Sequence, residues 1–154
     1  MTAENACFQL LLLNGGIEYE YRRWINELLE TEKPLSSATL ELSFIGDDTK
    51  NAAAFLYGYC REKDIDTERV CTRLRVFLRD EYFSGRITRP TCVKVMKTAS
   101  EFVGYWEKPS WHRMNLVASF PVVHDWLSDE QMEIEFEKTL RQYLETGFAD
   151  CYSV

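Results

Sequence analysis

DTERVCTRLRVFLRDEYFSG, residues 66–85, reads as one amphipathic helix that carries its own start and stop. Asp66 is the predicted N-cap, because a short carboxylate accepts from the free N–H groups of a first turn. Ile65 and Val70 stand at the two positions of a hydrophobic staple. Glu68 in the first turn suits the positive end of the helix dipole. Val70, Leu74, Phe77, Leu78 and Tyr82 recur at helical spacing, and Gly85 is a natural left-handed stop. Arg69, Arg73 and Asp80 fall off this stripe, and Arg75 with Arg79 forms a second basic row. A capped helix of this length in mid-chain sets the expectation for what flanks it.

Helical signals continue on both sides. Upstream, Asp48 is a predicted cap for a stripe of Ala52, Phe55, Leu56 and Tyr59. Gly58 within that helix costs up to about 1 kcal/mol relative to Ala, which suggests close approach by a neighbour. Downstream, Thr88-Arg89-Pro90 opens a helix with Cys92, Val95, Ala99, Phe102 and Trp106 on one face, proline being tolerated in a first turn. Near the C-terminus, Ser128 to Gln131 is a capping box and Leu127 with Met132 a staple. Met132, Phe136, Leu140, Tyr143 and Leu144 then face inward, and Gly147 stops the helix.

Further out the reading is coarser. Tyr21, Trp24, Ile25, Leu28 and Leu29 make a clean stripe that ends before Lys33-Pro34. Residues 8–13 and 40–45 are each too short for periodicity to separate helix from strand. Asn14-Gly15-Gly16 and Gly46-Asp47-Asp48 are turns. Residues 107–127, broken by Pro109 and Pro121, are expected to hold one short helix and an irregular connection packed on the core. The fold class is therefore all-α: a single multi-helix domain over residues 1–154, with six or seven helices in a bundle or orthogonal array.

Composition agrees with a globular chain. At 154 residues and 45% hydrophobic it is long enough to bury a core without staples. No apolar run approaches the ~20 residues of a membrane span, and MTAENACF lacks the basic start of a signal peptide, so a cytoplasmic protein is expected. Cys7, Cys60, Cys71, Cys92 and Cys151 are odd in number and widely spaced, which fits free buried thiols and neither zinc nor a disulfide framework. The tail from Phe148 to Val154 is expected to fray.

The net charge of −7 is uneven. Residues 1–48 carry a net −6, residues 49–108 a net +4 and residues 109–154 a net −5. Two acidic ends flank a basic middle, and part of that asymmetry is expected to be consumed by the ends packing over the middle. Acidic surface that remains attracts a basic partner.

Chemistry-bearing motifs are few. No Gly-rich phosphate loop or nucleophile elbow occurs. His112 and His124 stand twelve residues apart and match no metal spacing. In His124-Asp125, adjacent residues of a helix would not face each other as base and orienter. Asp47-Asp48 is explained by a turn that caps a helix. No cofactor and no metal are expected. Of the four tryptophans most are expected in the core, and one or two exposed beside acids would mark the centre of a protein interface.

In size and acidity the chain resembles small bacterial immunity proteins, which neutralise a basic toxin domain by binding it; no motif carries the likeness. The first expectation is a non-catalytic protein-binding module, of the immunity or antitoxin kind, using Glu20, Glu27, Glu30, Glu130, Glu133 and Glu137 against a basic protein. The alternatives are a nucleic-acid-associated protein using Arg73, Arg75, Arg79, Arg86, Arg89, Lys94 and Lys97, with Tyr82 and Phe83 for stacking, or an enzyme whose site is assembled from scattered residues.

Overall fold

The computed structural model describes residues 1–150, so Cys151 and the last residues of the tail lie outside the described residues. Among the described residues there are nine helices and no strand. They are α1 (Ala3–Asn14), α2 (Tyr19–Thr31), α3 (Ser37–Ile45), α4 (Thr49–Arg61), α5 (Thr67–Phe83), α6 (Arg89–Val103), α7 (Pro109–Ala118), α8 (Phe120–Val123) and α9 (Asp129–Thr146). The count exceeds the expected six or seven. Both ambiguous runs are helical, and residues 107–127 hold two helices, α7 and α8. The chain divides into two compact units, residues 1–70 and residues from Cys71 onward, and the division falls inside α5.

In the first unit α1 packs on α2, α2 on α3, α3 on α4, and α4 returns to α1, which closes a ring of four helices. Every residue from Ala6 to Leu12 is buried. A helix buried on all sides shows little contrast between faces for periodicity to detect, even with the buried Gln9 among its apolar residues. Tyr21, Trp24 and Ile25 of α2, Leu42 of α3, and Ala52 with Leu56 of α4 complete the core. Each large side chain so buried contributes roughly 1.5–3 kcal/mol relative to exposure.

The cap predicted at Asp48 is present, and Ser36 supplies another. Ser36 accepts from the Thr39 N–H at 3.1 Å and Asp48 from the Asn51 N–H at 3.1 Å. Glu32 ties α2 to the start of α3. Its carboxylate receives the N-terminal ammonium of Met1, the Ser36 N–H at 2.6 Å and the Thr39 hydroxyl at 2.8 Å. These donors, the ammonium first, hold the Glu32 carboxyl down to about 2.

Gly58 departs from expectation. It is exposed, and a Cβ built there meets nothing within 4 Å. No neighbour approaches it, so its backbone entropy cost has no compensating contact. Gly58→Ala should therefore raise stability by about 0.4–1 kcal/mol in urea denaturation; a loss would mean that space is occupied.

The second unit is built round α7, which packs on α6, α8 and α9. Trp111, Met114 and Val117 are fully buried, and Asn115 Nδ2 donates to Ser100 Oγ of α6 at 3.1 Å. Pro121 cannot donate a hydrogen bond back to the Val117 carbonyl, so α7 ends at Ala118 and α8 starts as a separate turn. Phe120 stacks on Phe136 of α9 with centroids 5.5 Å apart. The Ser128–Gln131 capping box forms, and Gly147 ends α9 at φ 78°. That positive φ is the conformation for which glycine is favoured.

The stop and start of α5 also hold. Asp66 accepts from the Arg69 N–H at 3.2 Å, and Gly85 has φ 80°. Val70, Leu74 and Leu78 are fully buried, while Phe77 and Tyr82 are half-buried.

Candidate functional site

The acidic residues do not form one open face. Glu20 is largely buried and both its oxygens accept from Arg23, which also reaches Glu27 at 2.8 Å. Glu30 is exposed. On α9, Glu133 and Glu137 were expected to lie unneutralised on the surface, and they do not. Arg89 of α6 reaches Glu133 at 2.5 Å and Glu137 at 3.2 Å. Arg141 donates to Glu137 at 2.7 Å, and the Tyr82 hydroxyl donates to it at 2.6 Å. Burial opposes the Glu137 charge, but the hydrogen bonds from Tyr82, Arg141 and Arg89 outweigh it and hold the carboxyl below its usual range. Of Glu130, Glu133 and Glu137, only Glu130 is exposed with no ion pair among the described residues.

The basic row is engaged in the same way. Arg75 Nη1 donates to the Leu144 carbonyl at 2.6 Å, at the C-terminal end of α9. Arg79 pairs with Asp80 at 2.9 Å and Arg86 with Glu81 at 2.7 Å, while Arg89 belongs to the α9 network. Arg73 is half-buried, and Lys94 and Lys97 remain exposed on α6. The two sets that the sequence offered as rival surfaces thus partly neutralise each other, as the charge pattern of ends and middle implied. The second unit holds eleven Lys or Arg against twelve Asp or Glu, whereas residues 1–70 hold seven against thirteen. The surplus of negative charge sits on the first unit.

The tryptophans divide evenly. Trp24 and Trp111 are core, whereas Trp106 is 81% and Trp126 64% exposed. Val122 at 73% and Val123 at 38% are also exposed, which corrects the expectation that residues 107–127 pack entirely on the core. Trp126 rests edge-on against His124, with centroids 4.8 Å apart, and His124 itself is buried against Phe120. Asp125, Asp129 and Glu130 flank Trp126 in the chain, are exposed, and make no ion pair among the described residues. Sequence reading missed Val122, Val123, Asp125 and Asp129. The available signal was the run of acids on both sides of Trp126. Trp106 lies on a separate stack with Tyr105 at 5.3 Å, and Tyr105 stacks on exposed His112 at 5.8 Å.

Each unit has a concavity among its described residues. In the first unit a cleft of about 230 Å³ runs between α2 and α3, floored by Tyr21, Ile25 and Leu42 and edged by Arg22 and Asp47. The Tyr21 hydroxyl is buried there without a partner, and burial, then Asp47, pushes it up to about 12. The other lies in the second unit beside Arg75, Arg113 and Tyr143. Cys7, Cys60, Cys71 and Cys92 are free thiols. Burial first, then Cys7, pushes the Cys60 thiol up to about 12, which makes it a poor nucleophile. Among the described residues no group of three His, Cys, Asp or Glu is placed to hold a metal ion, and no helix is long and apolar enough to cross a membrane. No known protein family, curated protein sequence or solved structure matches the chain.

Proposed function

We propose that the protein is a non-catalytic binding module that engages a basic protein through the corner between α8 and α9, with Trp126 as its anchor. One observation carries this reading. Trp126, Val122 and Val123 project into solvent within a single short stretch, and the unpaired acids Asp125, Asp129 and Glu130 frame them. An exposed tryptophan set among acids is the composition of an interface centre with a charged rim. The net charge of −7 adds long-range attraction for a basic partner. Neutralisation of a basic toxin domain by an immunity or antitoxin protein is the biological role of this kind that the reading favours. Glu30 and Glu130 remain its surface carboxylates; Glu20, Glu27, Glu133 and Glu137 are engaged in ion pairs of their own.

The test is capture of partners from a lysate of the source organism with the wild-type chain and with Trp126→Ala, followed by binding kinetics on the recovered protein. A basic protein should be retained by the wild type. Trp126→Ala should weaken its binding by about 2 kcal/mol, roughly thirtyfold, as loss of a central aromatic does. The association rate should fall as salt rises, since charge steers the encounter. Retention of nucleic acid instead, lost on reversal of Lys94 and Lys97, would overturn the reading in favour of the basic face.

A further inference from the structure

We propose that the second unit carries an oxyanion site, for inorganic phosphate or the phosphate of a small monoester, made by Arg75, Arg113 and the Tyr143 hydroxyl. The site is a cavity of about 140 Å³ bounded by α5, the start of α7 and the end of α9. Thr72 and Ser110 add hydroxyls at its edge, and it opens to solvent beside Thr72, which is exposed. It is separate from the Trp126 corner, and the proposal does not rest on the protein-binding reading.

Three observations converge on an anion. The first is positive charge without a counter-ion. Arg75 Nη1 donates to the Leu144 carbonyl at 2.6 Å and Arg113 Nη1 to the Gly147 carbonyl at 3.2 Å, and neither guanidinium pairs with a carboxylate among the described residues. A guanidinium has five N–H donors, so each keeps unspent donors while its anchored nitrogen fixes the plane. Arg113 is further held over the Phe148 ring, 4.4 Å from its centroid. Two anchored forks of this kind are the usual means of binding a phosphate.

The second observation is the Tyr143 hydroxyl. The residue is 2% exposed and lines the cavity, yet its hydroxyl has no hydrogen-bond partner among the described residues. The hydroxyl is not among the side-chain atoms sealed from solvent without a partner, so it reaches the open cavity and can donate to a ligand there. Burial, and then Cys71, push this phenol well above its usual range, while Arg75 and Arg113 pull it down. Both cations are therefore within electrostatic reach of the same oxygen.

The third observation is the start of α7. Lys108 provides no side-chain cap, and Ser110 of the first turn lines the cavity. The first turn of α7, where unpaired N–H groups favour an anion, therefore lies at the edge of the cavity. Two guanidinium forks with several hydroxyls around them suit a tetrahedral oxyanion better than a planar carboxylate.

The test is an amide-resolved NMR titration of the full chain with inorganic phosphate, phenyl phosphate and acetate at constant ionic strength. Phosphate should give saturable shifts centred on residues 110–113 and 143–147. Tyr143→Phe should raise the dissociation constant about tenfold, as loss of a hydrogen bond to a charged group does, with no fall in melting temperature because its hydroxyl bonds to nothing else. Arg113→Gln should abolish saturation. Tighter binding of phenyl phosphate than of inorganic phosphate identifies a monoester as the ligand, and equal binding identifies free phosphate. Shifts that stay linear, acetate binding as tightly as phosphate, or unchanged phosphate affinity in Tyr143→Phe and Arg113→Gln would overturn the site.

Discussion

Trp111→Ala should remove about 3–5 kcal/mol of stability, the largest loss expected for a single truncation in this chain. Trp111 is the largest fully buried side chain, and it lies on α7, the helix that α6, α8 and α9 all pack against. Its removal leaves a cavity that three helices must collapse round, and the partial relaxation of such sites is what raises the cost above simple transfer. Whole domains are stable by only about 5–15 kcal/mol, so the variant should lose roughly a fifth or more of that margin. Urea denaturation followed by far-UV circular dichroism reads the effect. A loss below about 1 kcal/mol would mean that α7 is not the centre of the second unit. Leu74, also fully buried, should cost less on truncation to Ala, having fewer atoms to lose.

The helices that organise each unit are the ones that sequence reading placed least well. α1 and α7 are buried on several faces, and burial all round erases the contrast between apolar and polar positions on which periodicity depends. Helices with one wet face, such as α5 and α9, show clean stripes, and their ends are written in local chemistry. Asp66, Asp48, Ser36 and Ser128 act on N–H groups three residues ahead, a distance sequence can see. The stretch at 66–85 was legible for that reason, yet it is not the hub of the molecule; the division into two units passes through it. Gly58 was read as a packing contact because only an approach by a neighbour would justify its cost, and that inference fails where the space is open.

The candidate surfaces were legible as charge but not as pairing. Arg89 and Glu133 are 44 residues apart, and nothing periodic links positions at that separation. Charge totals anticipated that the ends would partly cancel the middle, though not that Arg89 would be the residue that engages Glu133 and Glu137. Trp126 was legible as an interface residue only if exposed, and exposure is set by tertiary packing that local spacing does not encode.

The consequence for α9 reverses a simple surface expectation. Were Glu133 and Glu137 solvent carboxylates, changing them to lysine would alter stability by no more than about 0.5 kcal/mol. Glu137 instead accepts from Tyr82, Arg89 and Arg141 at once, so Glu137→Lys places an ammonium among two guanidiniums and leaves the Tyr82 hydroxyl without its acceptor. The expected loss is about 3 kcal/mol, between the worth of one charged hydrogen bond and that of a broken buried pair. Glu137→Gln separates charge from shape, because it keeps an acceptor and removes the negative charge. Its penalty should depend on pH in a definite direction. The folded carboxyl lies below its unfolded value, so its contribution is present above the ordinary carboxylate range and is lost as pH falls through the folded value. The wild type and Glu137→Gln should therefore differ most near pH 7 and converge in acid. Glu133, drawn down by its hydrogen bond from Arg89, shifts in the same direction and sharpens the acid transition of the wild type. Equal stability of wild type and Glu137→Lys at pH 7 would show that the network contributes nothing, and would return these carboxylates to the pool of free surface charge available to a basic partner.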